Sequence, residues 1–98
     1  MKLVWSLRAR ADLLEIFRFI ADDDPDAARQ WVTRLRQHAA KAAATPGIGR
    51  WLPELPARKE LRELIFKGYR VVYSVRARKV KILTVFEGHK ILPQEILR

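Results

Sequence analysis

Residues 60–86 read ELRELIFKGYRVVYSVRARKVKILTVF, and this stretch decides the fold. It contains three runs rich in the β-branched, aromatic and aliphatic residues that favour strands, at 60–66, 69–76 and 79–86. Lys67-Gly68 separates the first two runs and Ala77-Arg78 the last two, so both connections are short enough for hairpins. The stretch therefore predicts three consecutive antiparallel strands.

The two faces of these strands follow from the alternation of their side chains. In the middle run, one face carries Tyr69, Val71, Tyr73 and Val75 and the other carries Arg70, Val72, Ser74 and Arg76. In the last run, the predicted faces are Val80, Ile82, Thr84 and Phe86 against Lys81, Leu83 and Val85. Neither face is wholly polar near the centre of the sheet, so we expect both faces to be at least partly covered.

A short strand and a helix are predicted ahead of this sheet. Lys2–Trp5 is a brief apolar run, and Ser6 after it is a residue type that caps helices. Apolar residues then recur at the helical spacing i, i+3, i+4, i+7, as Leu13, Ile16, Phe17 and Ile20. This pattern predicts a helix from about Leu7 to Ala21.

A second helix follows after a tight turn. Asp24 is a natural N-cap, and Pro25 is tolerated in a first helical turn because its missing N–H has no partner there. The apolar stripe of this segment is Ala28, Trp31, Val32, Leu35, Ala39 and Ala42. The segment stops at Thr45-Pro46-Gly47. We therefore expect two antiparallel helices, an αα-hairpin.

Residues 46–56 connect the helices to the three strands. They include three prolines and two glycines, which mark a loop, and Trp51 and Leu52 are its predicted anchors. The element order is thus β-α-α-β-β-β. It predicts an α+β fold, in a single domain spanning residues 1–98, with an N-terminal helical hairpin on one face of an antiparallel sheet. The first strand is expected to join that sheet beside one of the three later strands.

The distribution of charge predicts an anionic partner. The 98 residues carry a net charge of +9. Residues 1–57 hold nine Lys/Arg against seven Asp/Glu, whereas residues 58–98 hold eleven against four. Such a surface attracts nucleic acid, acidic protein segments or anionic membrane, and the simpler interpretation is a solvated face that keeps the protein soluble.

Several compartments and chemistries have no support in the sequence. There is no cysteine and no uninterrupted apolar N-terminal segment, so a soluble cytoplasmic protein without disulfides or membrane contact is expected. No glycine-rich phosphate loop is present, and His38 and His89 lack metal-ligand spacing. No nucleophilic triad can be identified. We therefore expect neither a cofactor nor a metal.

Basic and aromatic residues supply the remaining candidates. They concentrate on the loop and the predicted sheet: Arg50, Trp51, Arg58, Lys59, Arg62, Tyr69, Arg70, Arg76, Arg78, Lys79 and Lys81. This mixture can grip phosphates and stack on bases. The alternation favours a core position for Tyr73, whereas a binding role and a structural role both stay open for Arg62 and Arg70.

The end of the last strand carries a candidate acid–base group. Glu87-Gly88-His89-Lys90 follows the strand, and a histidine there can transfer protons near neutral pH. An RNA-cleaving site needs a base, an acid and cations for the developing charge. Glu87, His89, Arg62 and Arg70 are the residues that would fill those roles, and an ordinary strand-end position is the alternative for His89.

These signals, taken together, resemble the ParE/RelE superfamily of plasmid-stabilisation toxins over about residues 3–93. No single landmark is specific, and the resemblance depends on their order and spacing. The landmarks are Trp5, Ala11-Asp12-Leu13 with Ile16 and Ile20-Ala21, Asp24-Pro25 with Ala27-Ala28, Pro46-Gly47-Ile48-Gly49-Arg50, Pro53-Glu54-Leu55, Arg62-Glu63-Leu64, Tyr69-Arg70-Val71-Val72-Tyr73 and Ile82-Leu83.

The resemblance implies the toxin of a type II toxin–antitoxin system, and it leaves three activities open. ParE-like members inhibit DNA gyrase by protein–protein contact, and the Gly49-Arg50, Pro53-Glu54-Leu55 and Arg62-Glu63-Leu64 landmarks look more like ParE. RelE-like members cleave mRNA on the ribosome, for which Arg62, Arg70 and His89 would be catalytic, although no tyrosine follows the last strand. A non-toxic binding module is the third.

The resemblance also implies partners. An antitoxin with an acidic, amphipathic C-terminal segment is expected, drawn by the basic half and seated in apolar grooves between helices and sheet. The target is DNA gyrase or, alternatively, the ribosome and mRNA. The residues predicted to contact target or partner are Arg50, Trp51, Arg58, Lys59, Arg62, Tyr69 and Arg70.

Overall fold

A five-stranded sheet with two helices on one face forms the protein, in a computed structural model that describes residues 1–97. In chain order the elements are β1 (Lys2–Trp5), α1 (Leu7–Ala21), α2 (Pro25–Ala44), β2 (Arg50–Trp51), β3 (Leu61–Phe66), β4 (Tyr69–Arg76) and β5 (Lys79–Glu87). The strand order is β1-β5-β4-β3-β2, with β1 parallel to β5 and the other pairs antiparallel. The predicted α+β class and the place of the first strand are confirmed.

The helices begin at the residues that the sequence indicates. The Ala9 amide donates to Ser6 Oγ at 3.0 Å, and the Ala27 amide donates to Asp24 Oδ1 at 3.0 Å. Each cap satisfies an amide that a helix start leaves without a partner, which stabilises the helix by about 1 kcal/mol. Among residues 1–97, neither helix is long and apolar enough to cross a membrane.

The main core lies between the helical hairpin and the sheet. Its buried members are Ala9, Leu13, Leu35, Ala39, Ala42, Leu64, Val71, Tyr73, Val80, Ile82 and Val85. Trp31 of α2 closes one end, with its ring edge-on to Phe66 at 5.6 Å and to Tyr69 at 5.1 Å between centroids. The predicted core position of Tyr73 is confirmed, because its side chain is fully buried.

A second, smaller core covers the opposite face of the sheet. It consists of Leu52, Leu61, Val72, Phe86 and Leu92, with Leu55, Leu83, Ile96 and Leu97 packed beside them. The loop after α2 and the segment after β5 therefore cover this face, as its apolar residues predict. Leu52 is the buried anchor that we expected. Trp51 is not an anchor, because it lies half exposed on β2.

The strict alternation predicted for β5 is wrong beyond Ile82. Val72 of β4 lies opposite Thr84 whereas the next residue, Tyr73, lies opposite Ile82, so one residue of β5 is left over as a β-bulge. As a result Val85 joins the helix-side core and Phe86 joins the smaller one, the reverse of the predicted faces.

Asp12 of α1 binds the strand at this bulge. Its Oδ2 accepts hydrogen bonds from Thr84 Oγ1 at 2.5 Å and from the Val85 amide at 3.0 Å. The carboxylate thus satisfies backbone that the irregular ladder would leave unpaired, and it ties the first helix to the last strand.

The loop predicted over residues 46–56 is shorter than expected. Arg50 and Trp51 form β2, which pairs with β3 so that Arg50 lies opposite Glu63 and Trp51 opposite Arg62. A strand of two residues is too short to produce an alternating pattern, which is why the sequence shows only its flanking prolines and glycines.

Candidate partner-binding surface

Four of the predicted site residues lie together at the β2 edge of the sheet. Trp51 is 47% exposed, and two cations lie over its ring, with Lys59 Nζ at 4.0 Å and Arg62 Cζ at 4.9 Å from the centroid. Arg50 precedes Trp51 on β2, so its largely exposed side chain points to the other face of the sheet, where it pairs with Glu63. We call Arg50, Trp51, Lys59 and Arg62 the Trp51 patch. Cations at these distances are attracted electrostatically to the electron-rich face of the indole, a cation–π interaction.

Hydrogen bonds hold the two arginines of this patch in place. Arg62 Nη1 donates to the Gly49 carbonyl at 2.7 Å and to the Gly47 carbonyl at 3.3 Å. Arg50 Nε donates to Glu63 Oε2 at 2.6 Å. Arg62 thus adds a fixed positive charge beside the Trp51 ring, and Arg50 adds a second one on the other face of the same edge.

The buried Tyr73 hydroxyl positions the loop that leads into the patch. It accepts a hydrogen bond from the Gly49 amide at 2.8 Å and donates one to the Pro46 carbonyl at 2.8 Å. Burial raises the pKa of the Tyr73 phenol, so the hydroxyl keeps the proton that it donates. The first residues of the loop are therefore attached to the core strand β4.

Arg70, in contrast, is an interior ion-pair partner. Its guanidinium donates through Nη1 and Nη2 to the two carboxylate oxygens of Glu54, at 2.6 and 2.7 Å, and through Nε to Glu63 Oε1 at 2.6 Å. The hydrogen bonds to Glu54 raise the pKa of Arg70, and those same bonds lower the pKa of Glu54. With its side chain only 9% exposed, Arg70 has no free donor face, and we leave it out of the proposed contact surface.

The two other predicted contact residues lie elsewhere. Tyr69 is half-buried against Trp31 on the helix side of the sheet. Arg58 pairs with Glu60 and lines a groove on the opposite side. The structure thus brings together Trp51, Lys59 and Arg62, places Arg50 on the other face of the same edge, and separates Arg58, Tyr69 and Arg70 from them.

The residues proposed for RNA cleavage do not converge. Arg62 lies opposite Tyr73, whereas Glu87 lies opposite Tyr69, two strands away from β3 and four residues further along, or about 13 Å along the strand direction. His89 is exposed beyond the end of β5, where its Nε2 is 3.4 Å from Glu87 Oε2. Within residues 1–97, no three His, Cys, Asp or Glu side chains lie close enough together to hold a metal ion.

Two grooves complete the surface. The first, of about 430 Å³, runs between α1, the end of β5 and the segment after it, and we call it the helix groove. Its rim carries Phe19, 77% exposed, and Ile91, 87% exposed. Neither residue was predicted as part of a site, although Phe19 is a large aromatic residue outside the apolar stripe of α1.

The second groove, of about 300 Å³, lies at the other end of the sheet on the face without helices. Its charged lining consists of Arg58, Glu60, Arg76, Lys79 and Lys81, and its other lining residues include Ser74, Leu61, Leu83 and Ile96. We call it the basic groove. The predicted concentration of positive charge on the sheet is therefore found mainly at the β4–β5 hairpin.

Comparison with known proteins agrees with this fold over most of the chain. The family model for the ParE toxin of type II toxin–antitoxin system, parDE, matches residues 3–92. The chain is 38% identical over 96 residues to the candidate toxin Y4kP of Sinorhizobium fredii (strain NBRC 101917 / NGR234). The aligned region covers 95% of this chain and 94% of that protein. It also resembles the structure of a chromosomal ParDE TA system from P. aeruginosa, with a TM-score of 0.71, 22% identity and coverage of 89% of this chain and 95% of that one. This chain therefore belongs to the ParE toxin family of type II toxin–antitoxin systems.

Proposed function

We propose that this toxin inhibits DNA gyrase by protein–protein contact and that the Trp51 patch is the contact surface. The ParE-like landmarks favour gyrase over the ribosome. The observation that carries the proposal is the half-exposed Trp51 beneath two cations, Lys59 and Arg62, of which Arg62 is held in place by hydrogen bonds. This arrangement suits binding better than bond cleavage.

The composition of the patch is that of an interface hot spot. Tryptophan and arginine dominate such sites, since they combine a large contact area with directed hydrogen bonds. Arg62 is already held by the Gly49 carbonyl, and Arg50 by Glu63, so little side-chain entropy remains to be lost on binding. The cations also favour an acidic surface on the target.

Trp51→Ala should weaken gyrase inhibition by about 30-fold, which corresponds to about 2 kcal/mol at a hot spot. The fold should survive, because the indole is half exposed and lies outside both cores. The measurement is inhibition of DNA supercoiling by purified gyrase as a function of toxin concentration. Phe19→Ala is the matched control, since it also removes an exposed aromatic ring but lies on the helix groove.

Two results would contradict this proposal. One is supercoiling that the wild-type toxin leaves unchanged at micromolar concentration. The other is cleavage of mRNA in a translation extract that stops in His89→Ala and Arg62→Ala, which would establish the nuclease instead. If the wild type and Trp51→Ala inhibited supercoiling equally, gyrase would remain the target, but the Trp51 patch would not be the contact surface.

We further propose that an antitoxin neutralises the protein by seating an acidic, amphipathic segment in the helix groove. Phe19 and Ile91 offer exposed apolar surface on the rim of the groove. The cations of the lining, Arg8 and Lys90, already pair with Asp12 and Glu87 of the same groove. The groove therefore supplies the apolar anchors that an amphipathic segment requires, and the net charge of +9 on the whole protein attracts its negative charge. The family membership of the chain supports an antitoxin partner.

Association with the antitoxin should slow as salt is added. The net charge of +9 steers an acidic partner, and ions screen that attraction over about 8–10 Å at physiological ionic strength. We expect the association rate constant to fall at least about tenfold between low and physiological salt, while the dissociation rate changes much less. Stopped-flow mixing with the cognate antitoxin measures both. An association rate that is independent of salt would refute electrostatic steering.

A further inference from the structure

The basic groove carries positive charge that the fold itself does not use. Among the residues that the structure describes, Glu60 is the one carboxylate on its lining, and it pairs with Arg58. In residues 1–97, no carboxylate lies within ion-pair distance of Arg76, Lys79 or Lys81. Three unpaired cations thus share one groove.

The register of the sheet places these cations side by side. Arg76 lies directly opposite Lys79 in the β4–β5 ladder, and Lys79 lies beside Lys2 of β1. Lys81 is two residues further along, opposite Ser74. Neighbouring strands are about 4.8 Å apart, so the backbone positions of these residues are adjacent, and like charges directly opposite destabilise a sheet. A bound anion would remove that repulsion.

We propose that the basic groove binds the phosphate backbone of duplex DNA without regard to sequence. The inference rests on the proposed function for the source of the phosphate, because gyrase holds duplex DNA. The groove itself is defined by Arg76, Lys79 and Lys81, and Ser74, opposite Lys81, also lines it and adds a hydroxyl.

The lining of the groove favours a phosphate backbone over the alternatives. No aromatic residue lines it in the described part of the chain, so it offers no platform on which single-stranded bases could stack. Its apolar residues are largely covered, with Leu61 buried and Leu83 and Ile96 packed into the smaller core. An amphipathic peptide therefore finds its apolar anchors on the helix groove and not here.

Two separate attachments would follow for a toxin bound to the gyrase–DNA complex. The Trp51 patch lies at the β2 edge and the basic groove lies at the β4–β5 hairpin, so one molecule can hold protein and DNA together. A second, weak contact of this kind raises the overall affinity, because it becomes intramolecular once the first has formed.

The test is the salt dependence of binding to a short fluorescent DNA duplex of random sequence, without gyrase. Three phosphate contacts predict a slope of about −2.7 for log K against log salt, measured between about 50 and 200 mM. Arg76→Gln/Lys79→Gln should reduce that slope by about 1.8 and weaken binding at least about tenfold at the lower salt. The control, Arg34→Gln/Lys41→Gln, removes one arginine and one lysine from the exposed surface of α2 on the other side of the sheet.

The outcomes separate the groove from net charge and from the target. Loss of affinity in the groove variant with little change in the control supports the proposal. Equal losses in the two variants would reduce the effect to net charge and overturn it. Absence of duplex binding, together with tight binding of a polyglutamate peptide that only the groove variant weakens, would make the groove a peptide site and also overturn it. Because gyrase is absent from this assay, failure here leaves the supercoiling result unaffected.

Discussion

Replacement of Arg70 by methionine is expected to lower the free energy of unfolding by about 3–5 kcal/mol, the cost of breaking a buried ion pair by removing one partner. The side chain of Glu63 is completely buried, and without Arg70 it keeps only Arg50, which is largely exposed. Glu54 loses both of its hydrogen bonds from Arg70. Urea denaturation monitored by tryptophan fluorescence measures the change.

Two further variants test whether the ion pair causes this loss. Arg70→Lys keeps the positive charge, but an ammonium group lacks the planar guanidinium that donates to three carboxylate oxygens. We therefore expect a loss of stability between those of the wild type and Arg70→Met. Arg70→Met/Glu63→Gln removes the buried negative charge as well and should recover part of the stability of the single variant. A double variant no more stable than Arg70→Met would mean that packing around residue 70, and not the ion pair, sets the loss.

The pH dependence of the same variants gives an independent check. Hydrogen bonds from Arg70 lower the pKa of Glu54 below its ordinary value of 4.5. A carboxyl group with a lowered pKa in the folded state stabilises the fold above its unfolded pKa, and that stabilisation is lost as the pH falls through the folded pKa. The stability difference between wild type and Arg70→Met should therefore narrow on acidification below about pH 4.5.

Part of this network could have been found in the sequence. A two-residue turn at Lys67-Gly68 sets Phe66 opposite Tyr69 and Ile65 opposite Arg70. Glu63, two residues before Ile65, therefore lies diagonal to Arg70 on the same face. The pairing of Arg70 with Glu63 could therefore have been predicted from the hairpin register. The contact between Arg70 and Glu54 could not, because Glu54 lies in an irregular loop whose path depends on contacts distant in the chain.

The helices and the long strands were predictable because their signals are local. Ser6 and Asp24 cap their helices with the residues next to them in sequence, and Tyr73 is buried because alternation places it on the helix side. The bulge in β5 depends instead on Asp12, which lies more than seventy residues earlier and binds Thr84 and Val85. The pattern of residues within β5 therefore gives no indication of the contact with Asp12.

The same distinction applies to the candidate site. Composition predicted a surface of basic and aromatic residues, and the structure places Lys59 and Arg62 over the ring of Trp51. Composition could not separate Arg62, which faces Trp51, from Arg70, which faces two glutamates, because both are arginines on neighbouring strands. The pairing of the strands determines which of the two arginines is exposed to a binding partner.

Gly49→Ala is expected to lower the free energy of unfolding by about 3 kcal/mol, at the upper end of the cost of overpacking a core. A Cβ at this position would lie 2.5 Å from Tyr73 Oη and 2.7 Å from the Glu63 carbonyl oxygen. Neither neighbour is the end of a flexible chain, since the hydroxyl also donates to the Pro46 carbonyl and the carbonyl belongs to β3. The loop must move away, which disturbs the Trp51 patch beside it.

Gly47→Ala is the matched control for this effect, because nothing lies within 4 Å of a Cβ there and the residue belongs to the same loop. It should leave both the urea midpoint and gyrase inhibition close to those of the wild type, whereas Gly49→Ala should reduce both. If Gly49→Ala proved as stable as Gly47→Ala, the contact between the loop and Tyr73 could not be what positions Arg50 and Trp51. If Gly49→Ala were less stable but still inhibited gyrase, the packing of this loop would matter for stability and not for binding.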